Sequence, residues 1–251
     1  MIFHIKSSVV PVNIPSAIAL FDQVTKRLKA GQGFAIATIN LDHLVKLRDS
    51  NSFLTAYLAQ DFIVADGNPI VWLSKLAKSP VELVPGSELV VPLARIAAVN
   101  GVGIALLGST TEALDRAAVG LQALVPDLKI AICIAPPFGF DPTDEQAKAI
   151  LIDLKNSGAG LCFLALGAPK QEEFAALGRK VTPNIGFASI GASLDFIAGN
   201  QTRAPKWVQK LALEWFWRMA SSPRRLIPRY MRCIAILPSL ALDASKQSRR
   251  G

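Results

Sequence analysis

Cysteine and histidine are scarce in this chain. Its 251 residues include three cysteines, Cys133, Cys162 and Cys233, and two histidines, His4 and His43. The cysteines lie far apart, each inside an apolar run and none in a CxxC pair. This pattern argues against a zinc site or a disulfide framework and predicts buried, reduced thiols of a cytosolic protein. No metal-ligand spacing surrounds His43, which favours a structural role for it.

A long hydrophobic run is also missing. The first fifteen residues, MIFHIKSSVVPVNIP, lack the basic region, the long apolar centre and the cleavage site of a signal peptide, so export is not expected. The longest uncharged apolar run near the end covers residues 233–242, about half of the roughly 20 residues that a membrane-spanning helix needs. Pro238 interrupts it. We expect this segment to lie on a membrane without crossing it.

The common nucleotide and hydrolase signatures are absent. The sequence contains no GxxxxGK[ST] loop, no GxSxG elbow and no Asp-x-Asp pair that would bridge a divalent cation to a diphosphate. Gly101 and Gly103, with Gly108, resemble a dinucleotide-binding loop, but they precede a strand where the Rossmann fingerprint follows one. The charge of a bound diphosphate would therefore be met by helix N-termini and basic side chains.

Hydrophobic residues are abundant, at 51% of the chain, and they recur in strand-length runs followed by helical patterns. Residues 111–124 and 143–156 show the helical spacing behind Ser, Thr or Asp caps. Alternating strands and helices predict an α/β fold with a Rossmann-like, mostly parallel sheet and helices on both faces. The predicted strands cover residues 34–39, 62–65, 103–107, 129–134, 160–166 and 185–190.

Small, polar and carboxylate residues follow each predicted strand, at the edge where open α/β sheets bind ligands. Part of this pattern is expected of any such fold, because loops need glycine and caps need Ser or Asp. Asp66 and Asp195 are the candidates for acid/base chemistry, and Asp66 is favoured because the glycine that follows it permits close approach of a ligand. The candidate residues at this edge are Thr38, Asn40, Asp66, Gly67, Asn68, Gly108, Phe140, Gly167, Lys170, Gln171 and Asp195.

The segment LCFLALGAPKQEEF is the most informative of these strand ends. Gly167 allows a turn and Pro169 suits the first helical position, so a strand is predicted to lead directly into a helix. The N-terminus of that helix would present Lys170 and Gln171 to an anion. An ordinary strand-to-helix turn with a solvated charged face explains this segment equally well.

Positive charge is concentrated at the end of the chain. Residues 201–251 contain eleven Lys and Arg residues and two acidic residues, a net charge of +9, whereas the first two hundred residues carry −1. Five aromatic residues are interleaved with these charges: Trp207, Trp215, Phe216, Trp217 and Tyr230. The predicted division is therefore an α/β catalytic domain over residues 1–200 and a basic, helical appendage over residues 201–251 that meets an anionic surface.

Five segments of the chain are informative together: TINLDHL, ADGNPIVWLSKL, VPGSEL, LALGAPKQEEF and IGASLDFIAGNQTRAPKWVQKLALEWFWRMASSPRRLIPRYM. In their order and spacing they resemble the WecG/TagA/CpsF family of bacterial glycosyltransferases. The resemblance implies an inverting, metal-independent transferase without a cofactor, which agrees with the missing Asp-x-Asp pair. Its donor would be a UDP-sugar carrying N-acetylmannosamine, its uronic acid or glucose. Its acceptor would be a polyprenyl (undecaprenyl) diphosphate-linked saccharide of a cell-surface polysaccharide.

The same resemblance assigns roles to residues of the sheet edge. Asp66 matches the family's proposed general base, and its alternative is the N-cap of the helix that contains Pro69. Thr38 and Asn40 match a pocket pair, and Gln171 matches a residue near the donor or acceptor sugar.

The end of the chain carries further matches. Asp195 and Arg203 fall in one family block, where donor binding and a salt bridge that fixes the loop both remain open. Arg218, Arg225 and Arg229 match arginines that are proposed to neutralise the leaving UDP, with surface solubility or lipid contact as their alternative. The appendage implies a cytoplasmic enzyme held peripherally on the inner face of the cytoplasmic membrane.

One departure from the family leaves other functions open. Leu83 stands where family members usually have arginine, and Glu88 where they have aspartate, which puts the donor sugar in doubt. A catalytically impaired UDP-binding membrane scaffold is the alternative that this change supports. A nucleic-acid-binding module is the third class, suggested by the basic tail and disfavoured here. The exposed edges of such a sheet are also compatible with a homo-oligomer.

Overall fold

Residues 1–199 and 223–249, which the computed structural model describes, form eight strands and ten helices. The strands are β1 (Ile2–Ile5), β2 (Ser8–Pro11), β3 (Ala35–Ile39), β4 (Phe62–Ala65), β5 (Gly103–Gly108), β6 (Ile130–Ile134), β7 (Ala159–Ala165) and β8 (Gly186–Ser189). The helices are α1 (Ala17–Lys29), α2 (Leu41–Asp49), α3 (Asn51–Leu58), α4 (Asn68–Leu76), α5 (Gly86–Val99), α6 (Thr111–Leu124), α7 (Glu145–Asn156), α8 (Lys170–Val181), α9 (Ser193–Ile197) and α10 (Pro223–Ser248).

The main sheet contains β3 to β8 in the order β4-β3-β8-β7-β5-β6, and every neighbouring pair is parallel. The predicted Rossmann-like α/β class is therefore confirmed, and all six predicted strands are present within two residues of their predicted ends. Strands β1 and β2 form a separate antiparallel hairpin that the sequence analysis did not predict. Because the six strands run the same way, the loops that follow them meet at one edge.

Alternate residues of each strand pack against opposite layers of helices. On one face, Ile36, Ile104 and Phe163 belong to a core that also contains the apolar sides of α1, α5, α6 and α9. On the other face, Ala105 and Leu164 pack against α7 and α8. Both faces are thus covered, which is why the strands are apolar on both sides.

The second face continues into a core beside β3 and β4. Ala37 and Ile63 pack there with helices α2, α3 and α4 and with the hairpin. Helix α10 reaches into the same cluster through Leu240 and Ala244, and the Gln247 side chain donates to the Ile2 carbonyl oxygen at 2.8 Å. The C-terminal helix therefore shares a hydrophobic core with the α/β layers.

Two helices begin close to their predicted starts. Thr110 caps α6, and its hydroxyl oxygen accepts from the Ala113 N–H. Helix α7 is capped by Asp144, one residue after the expected start at Thr143, because the Thr143 hydroxyl donates to Asp141 instead. Helix α8 begins at Lys170 with Pro169 as its N-cap, one residue later than the start predicted at Pro169.

Two of the three cysteines are buried, as the apolar runs around them predict. Cys162 and Cys233 are buried free thiols, whereas Cys133 is half-buried. Burial raises the pKa of the Cys162 thiol, so it stays protonated at neutral pH. Within residues 1–199 and 223–249, no helix combines the length and apolar character that crossing a bilayer requires.

Candidate active site at the carboxyl edge of the sheet

Asp66 lies directly after β4 and is oriented by Asn40, the residue that follows β3. Strands β3 and β4 are paired as far as Ile39 and Ala65, so the two loops leave the sheet side by side. The Asn40 side-chain amide donates to Asp66 Oδ2 at 3.2 Å, and the Asp66 N–H donates to the Ile39 carbonyl oxygen at 2.8 Å. One carboxylate is thus held at a defined place on the open edge.

Asn40 has a second contact that fixes its own side chain. It is the N-cap of α2, and its Oδ1 accepts from the His43 N–H at 3.0 Å. Since the oxygen is used by the helix, the amide nitrogen faces Asp66. Gly67, with φ near +99°, takes the N-cap position of α4 without a side-chain bond, so Asp66 does not occupy that N-cap. The alternative role considered for Asp66 is wrong in this respect.

His43 and Thr38 support the strand end from inside the protein. Burial lowers the pKa of His43 to about 4, so the ring is neutral at pH 7, and its Nδ1–H donates to the Thr38 carbonyl oxygen at 2.5 Å. The Thr38 side chain is only 5% exposed. Its methyl carbon would be 3.5 Å from a Cβ built on Gly86, so the Gly86 backbone packs beside it. His43 is therefore structural, and Thr38 is largely covered by α5.

The loop between β7 and α8 places Gln171 and Lys170 in contacts within the protein. Gln171 is 3% exposed, and its Oε1 accepts from the Gly191 N–H at 3.1 Å. Lys170 Nζ donates to the Phe140 carbonyl oxygen at 2.5 Å. Gly167, with φ near +73°, makes the turn that was predicted for it. The segment is thus a set of interlocking loop contacts around the edge.

The loops after β5 and β6 contribute further candidate residues to this edge of the sheet. Ser109, with φ near +54°, donates from its hydroxyl to Asp195 Oδ1 at 2.8 Å. Gly108 passes so close to Ala165 that an added Cβ would lie 2.6 Å from its carbonyl group. Phe140 is buried with its ring centroid 6.1 Å from that of Phe174, so little of its surface can meet a ligand.

Asp195 therefore has a loop-fixing contact with Ser109. Arg203 and Arg218 lie outside the described residues, as does the side chain of Arg225, so their expected roles stay predictions. The structure does place Arg229: its Nε lies 2.7 Å from Asp42 Oδ1. The Lys46 ammonium lies 2.9 Å from the other oxygen of that carboxylate and donates to the Ala168 carbonyl oxygen at 3.0 Å.

Sequence reasoning missed Asp42, Lys46 and Glu172 as parts of this edge. The i, i+4 spacing of Asp42 and Lys46 was a usable signal for an ion pair on one helix face. No comparable signal marks Glu172, which is 0% exposed although it lies in a charged helical first turn. Burial raises its pKa to about 7.

Among the described residues, the edge offers two oriented carboxylates, Asp66 and Asp195, turns rich in glycine, and cationic side chains at its α10 side. Among residues 1–199 and 223–249, no three His, Cys, Asp or Glu side chains converge as a metal site would require. Proton abstraction by Asp66 is the acid/base chemistry that its position and orientation favour. A parallel α/β sheet with polar groups at its carboxyl edge is a Rossmann-like arrangement, the class in which ligands bind at that edge.

The comparison with protein families agrees with this class. The model of the Glycosyl transferase WecG/TagA/CpsF family matches residues 6–251, essentially the whole chain. The chain belongs to this family. It is thus a glycosyltransferase of cell-surface polysaccharide synthesis, as the resemblance in the sequence implied.

Proposed function

We propose that the protein is an inverting transferase that moves a hexosyl residue from a UDP-sugar to a polyprenyl diphosphate-linked saccharide. The observation that carries this proposal is the Asp66 carboxylate, held by the Asn40 amide at the open edge of the sheet. Asp66 takes the proton of the acceptor hydroxyl as the hydroxyl oxygen attacks the anomeric carbon. The bond from that carbon to the UDP oxygen breaks, UDP leaves with the electron pair, and the configuration inverts.

Neutralisation of the leaving diphosphate is the second requirement of this reaction. The basic end of the chain supplies the cations, so the proposal needs no metal or cofactor. Arg229 pairs with Asp42 in the structure, and a role at the diphosphate requires it to exchange that partner. A guanidinium suits this exchange because it binds carboxylates and phosphates through the same donor geometry.

The position of Leu83 bears on which donor sugar the enzyme uses. The Val84 N–H donates to the Ala65 carbonyl oxygen at 2.7 Å, so residue 83 lies next to the strand end that carries Asp66. The Leu83 side chain is 40% exposed. An exposed leucine where the family usually has arginine supports a donor with fewer anionic groups near this position, which favours N-acetylmannosamine or glucose over a uronic acid.

A donor screen tests the activity. The full-length protein is mixed with each UDP-sugar and a synthetic polyprenyl diphosphate saccharide, and the product mass is read. We expect transfer of one neutral hexosyl residue, and we expect Leu83→Arg to raise the relative rate with the uronic acid donor. If the protein bound UDP tightly but transferred sugar to no acceptor, the transferase proposal would be wrong. The catalytically impaired UDP-binding scaffold would then be the better description.

The surface formed by α4 and α10 supports a peripheral position on the inner face of the cytoplasmic membrane. Helix α10 exposes Ile227, Met231 and Ile234 at helical spacing on one side. Next to it, an apolar groove of about 330 Å³ lies between the two helices, lined by Pro69, Trp72, Leu73, Leu76, Leu237, Pro238 and Ala241. Apolar side chains beside a net positive helix are the combination that binds anionic bilayers.

The proposed contact of α10 with the membrane predicts that two added negative charges on this helix weaken membrane binding. We expect Met231→Glu with Ile234→Glu to lower partition into vesicles of anionic phospholipid by about ten-fold or more, because each buried apolar side chain is worth roughly 1.5–3 kcal/mol. Val119→Glu, an equally exposed position on α6, is the matched control and is expected to bind like the wild type. Vesicle sedimentation measures both. If the wild type and both variants partitioned equally into the vesicles, α10 would not be the helix that binds the membrane.

A further inference from the structure

Glu172 is an acidic residue in an unusual place. It lies in the first turn of α8, where the sequence predicts solvated charge, yet it is 0% exposed, while the adjacent Glu173 is partly exposed. Burying a carboxyl group costs folding free energy unless hydrogen bonds satisfy its oxygens or the group stays neutral. Its contacts therefore indicate what it does.

Two hydrogen bonds connect the Glu172 side chain to the site, and a third holds its backbone. The Gln171 side-chain nitrogen donates to Glu172 Oε1 at 2.8 Å, and the Gln171 side-chain oxygen accepts from the Gly191 N–H at 3.1 Å. The Gln60 side chain donates to the backbone carbonyl oxygen of Glu172 at 3.1 Å. A continuous chain thus runs from the buried carboxyl group through one amide to the loop that follows β8.

The other side of this carboxyl group is incompletely satisfied. Glu172 Oε2, the Tyr57 hydroxyl and the Ser189 hydroxyl are buried and have no hydrogen-bond partner within residues 1–199 and 223–249. The titratable and charged groups that face Glu172 are Lys46 from α2, Tyr57 from α3 and Glu173 from α8. Tyr57 is also within electrostatic range of Asp66. An ionised Glu172 would place a second negative charge behind the active edge, with one oxygen lacking a donor.

We propose that Glu172 is a positioning residue for the transferase: its carboxyl oxygen holds the Gln171 amide, and through it the Gly191 loop, in the conformation that the active edge needs. This inference rests on the proposed function. Ionisation draws donors such as Lys46 or water toward the buried carboxylate, which disturbs the Gln171 amide and the loop. The enzyme therefore loses activity as the pH rises through the titration of Glu172, which lies near 7.

Glu172→Gln separates this role from simple packing. The glutamine keeps an oxygen for the Gln171 nitrogen, has nearly the same volume and cannot ionise. Glu173→Gln, which removes the same charge one residue further along, is the matched control. We expect kcat/KM of the wild type and of Glu173→Gln to fall at least ten-fold between pH 6 and 9, and that of Glu172→Gln to stay within three-fold.

A second measurement does not depend on sugar transfer. The Gly191 amide resonance is followed by NMR from pH 5 to 9 in the same three proteins. We expect it to titrate near pH 7 in the wild type and in Glu173→Gln and to stay constant in Glu172→Gln. If the wild type transfers no sugar, the proposed function is wrong. The NMR titration still tests whether ionisation of Glu172 affects the Gly191 loop. The inference would be overturned if the Gly191 amide resonance of the wild type did not shift with pH. It would also be overturned if Glu172→Gln still lost activity at alkaline pH.

Discussion

Asp66→Asn is expected to lower kcat by about 10²–10⁴-fold, the usual contribution of a general base, and to leave UDP binding within about two-fold of the wild type. The asparagine keeps an oxygen for the Asn40 amide, so the local structure is retained and only the ability to accept a proton is lost. Single-turnover kinetics with the lipid-linked acceptor measure the chemical step, and calorimetry measures UDP affinity.

Asp153→Asn is the control for this substitution. Asp153 is an exposed carboxylate near the end of α7, at the opposite edge of the sheet, and its replacement is expected to change neither quantity. If Asp66→Asn retained more than about a tenth of the wild-type rate, Asp66 would not be the base, and the proton would have to pass to another group of the edge.

Leu240→Ala is expected to destabilise the protein by about 2–5 kcal/mol, the usual cost of truncating a buried leucine. Leu240 lies on α10 and is 4% exposed in the core that β3, β4 and the N-terminal hairpin share. For a chain of this size the loss corresponds to a fall in Tm of roughly 5–15 °C. Thermal unfolding followed by circular dichroism measures it.

Leu242→Ala is the matched control for the core position. Leu242 is 65% exposed on the same helix, so its truncation is expected to change stability by no more than about 0.5 kcal/mol. Similar Tm values for the two variants would mean that α10 contributes little to the core. The packing of Leu240 also has a practical consequence: deleting residues 201–251 opens the core, so point variants are the better way to separate membrane docking from catalysis.

The strands of the sheet could be predicted because their signal is local. Each is a short apolar run between turn residues, and β4 has the same bounds, Phe62–Ala65, in the prediction and in the structure. The N-terminal hairpin was missed because its buried side chains belong to a core that also contains Leu240 and Ala244 of α10, at the other end of the chain. No pattern within the first eleven residues contains that information.

The candidate site could be predicted in part for the same reason. Asp66 and Asn40 stand out because they follow apolar strands, but their hydrogen bond depends on the pairing of β3 with β4. The charge of Glu172 predicts exposure, whereas the residues it contacts in the fold, Tyr57 of α3 and Gln60 just after that helix, lie over a hundred residues earlier. Sequence patterns thus located the edge, whereas the contacts across it are properties of the folded chain.

Helix α2 joins three distant parts of the molecule. Asn40 at its N-cap orients Asp66, Asp42 in its first turn pairs with Arg229, and Lys46 in its last turn holds the Ala168 carbonyl. A nine-residue helix is about 13 Å long and moves as one body. We expect a displacement of α10 to reach Asp66 and the β7–α8 loop through these contacts. Under the proposed function, binding to a bilayer and binding of the sugar donor would then be coupled, and by thermodynamic reciprocity each would change the affinity of the other by the same factor.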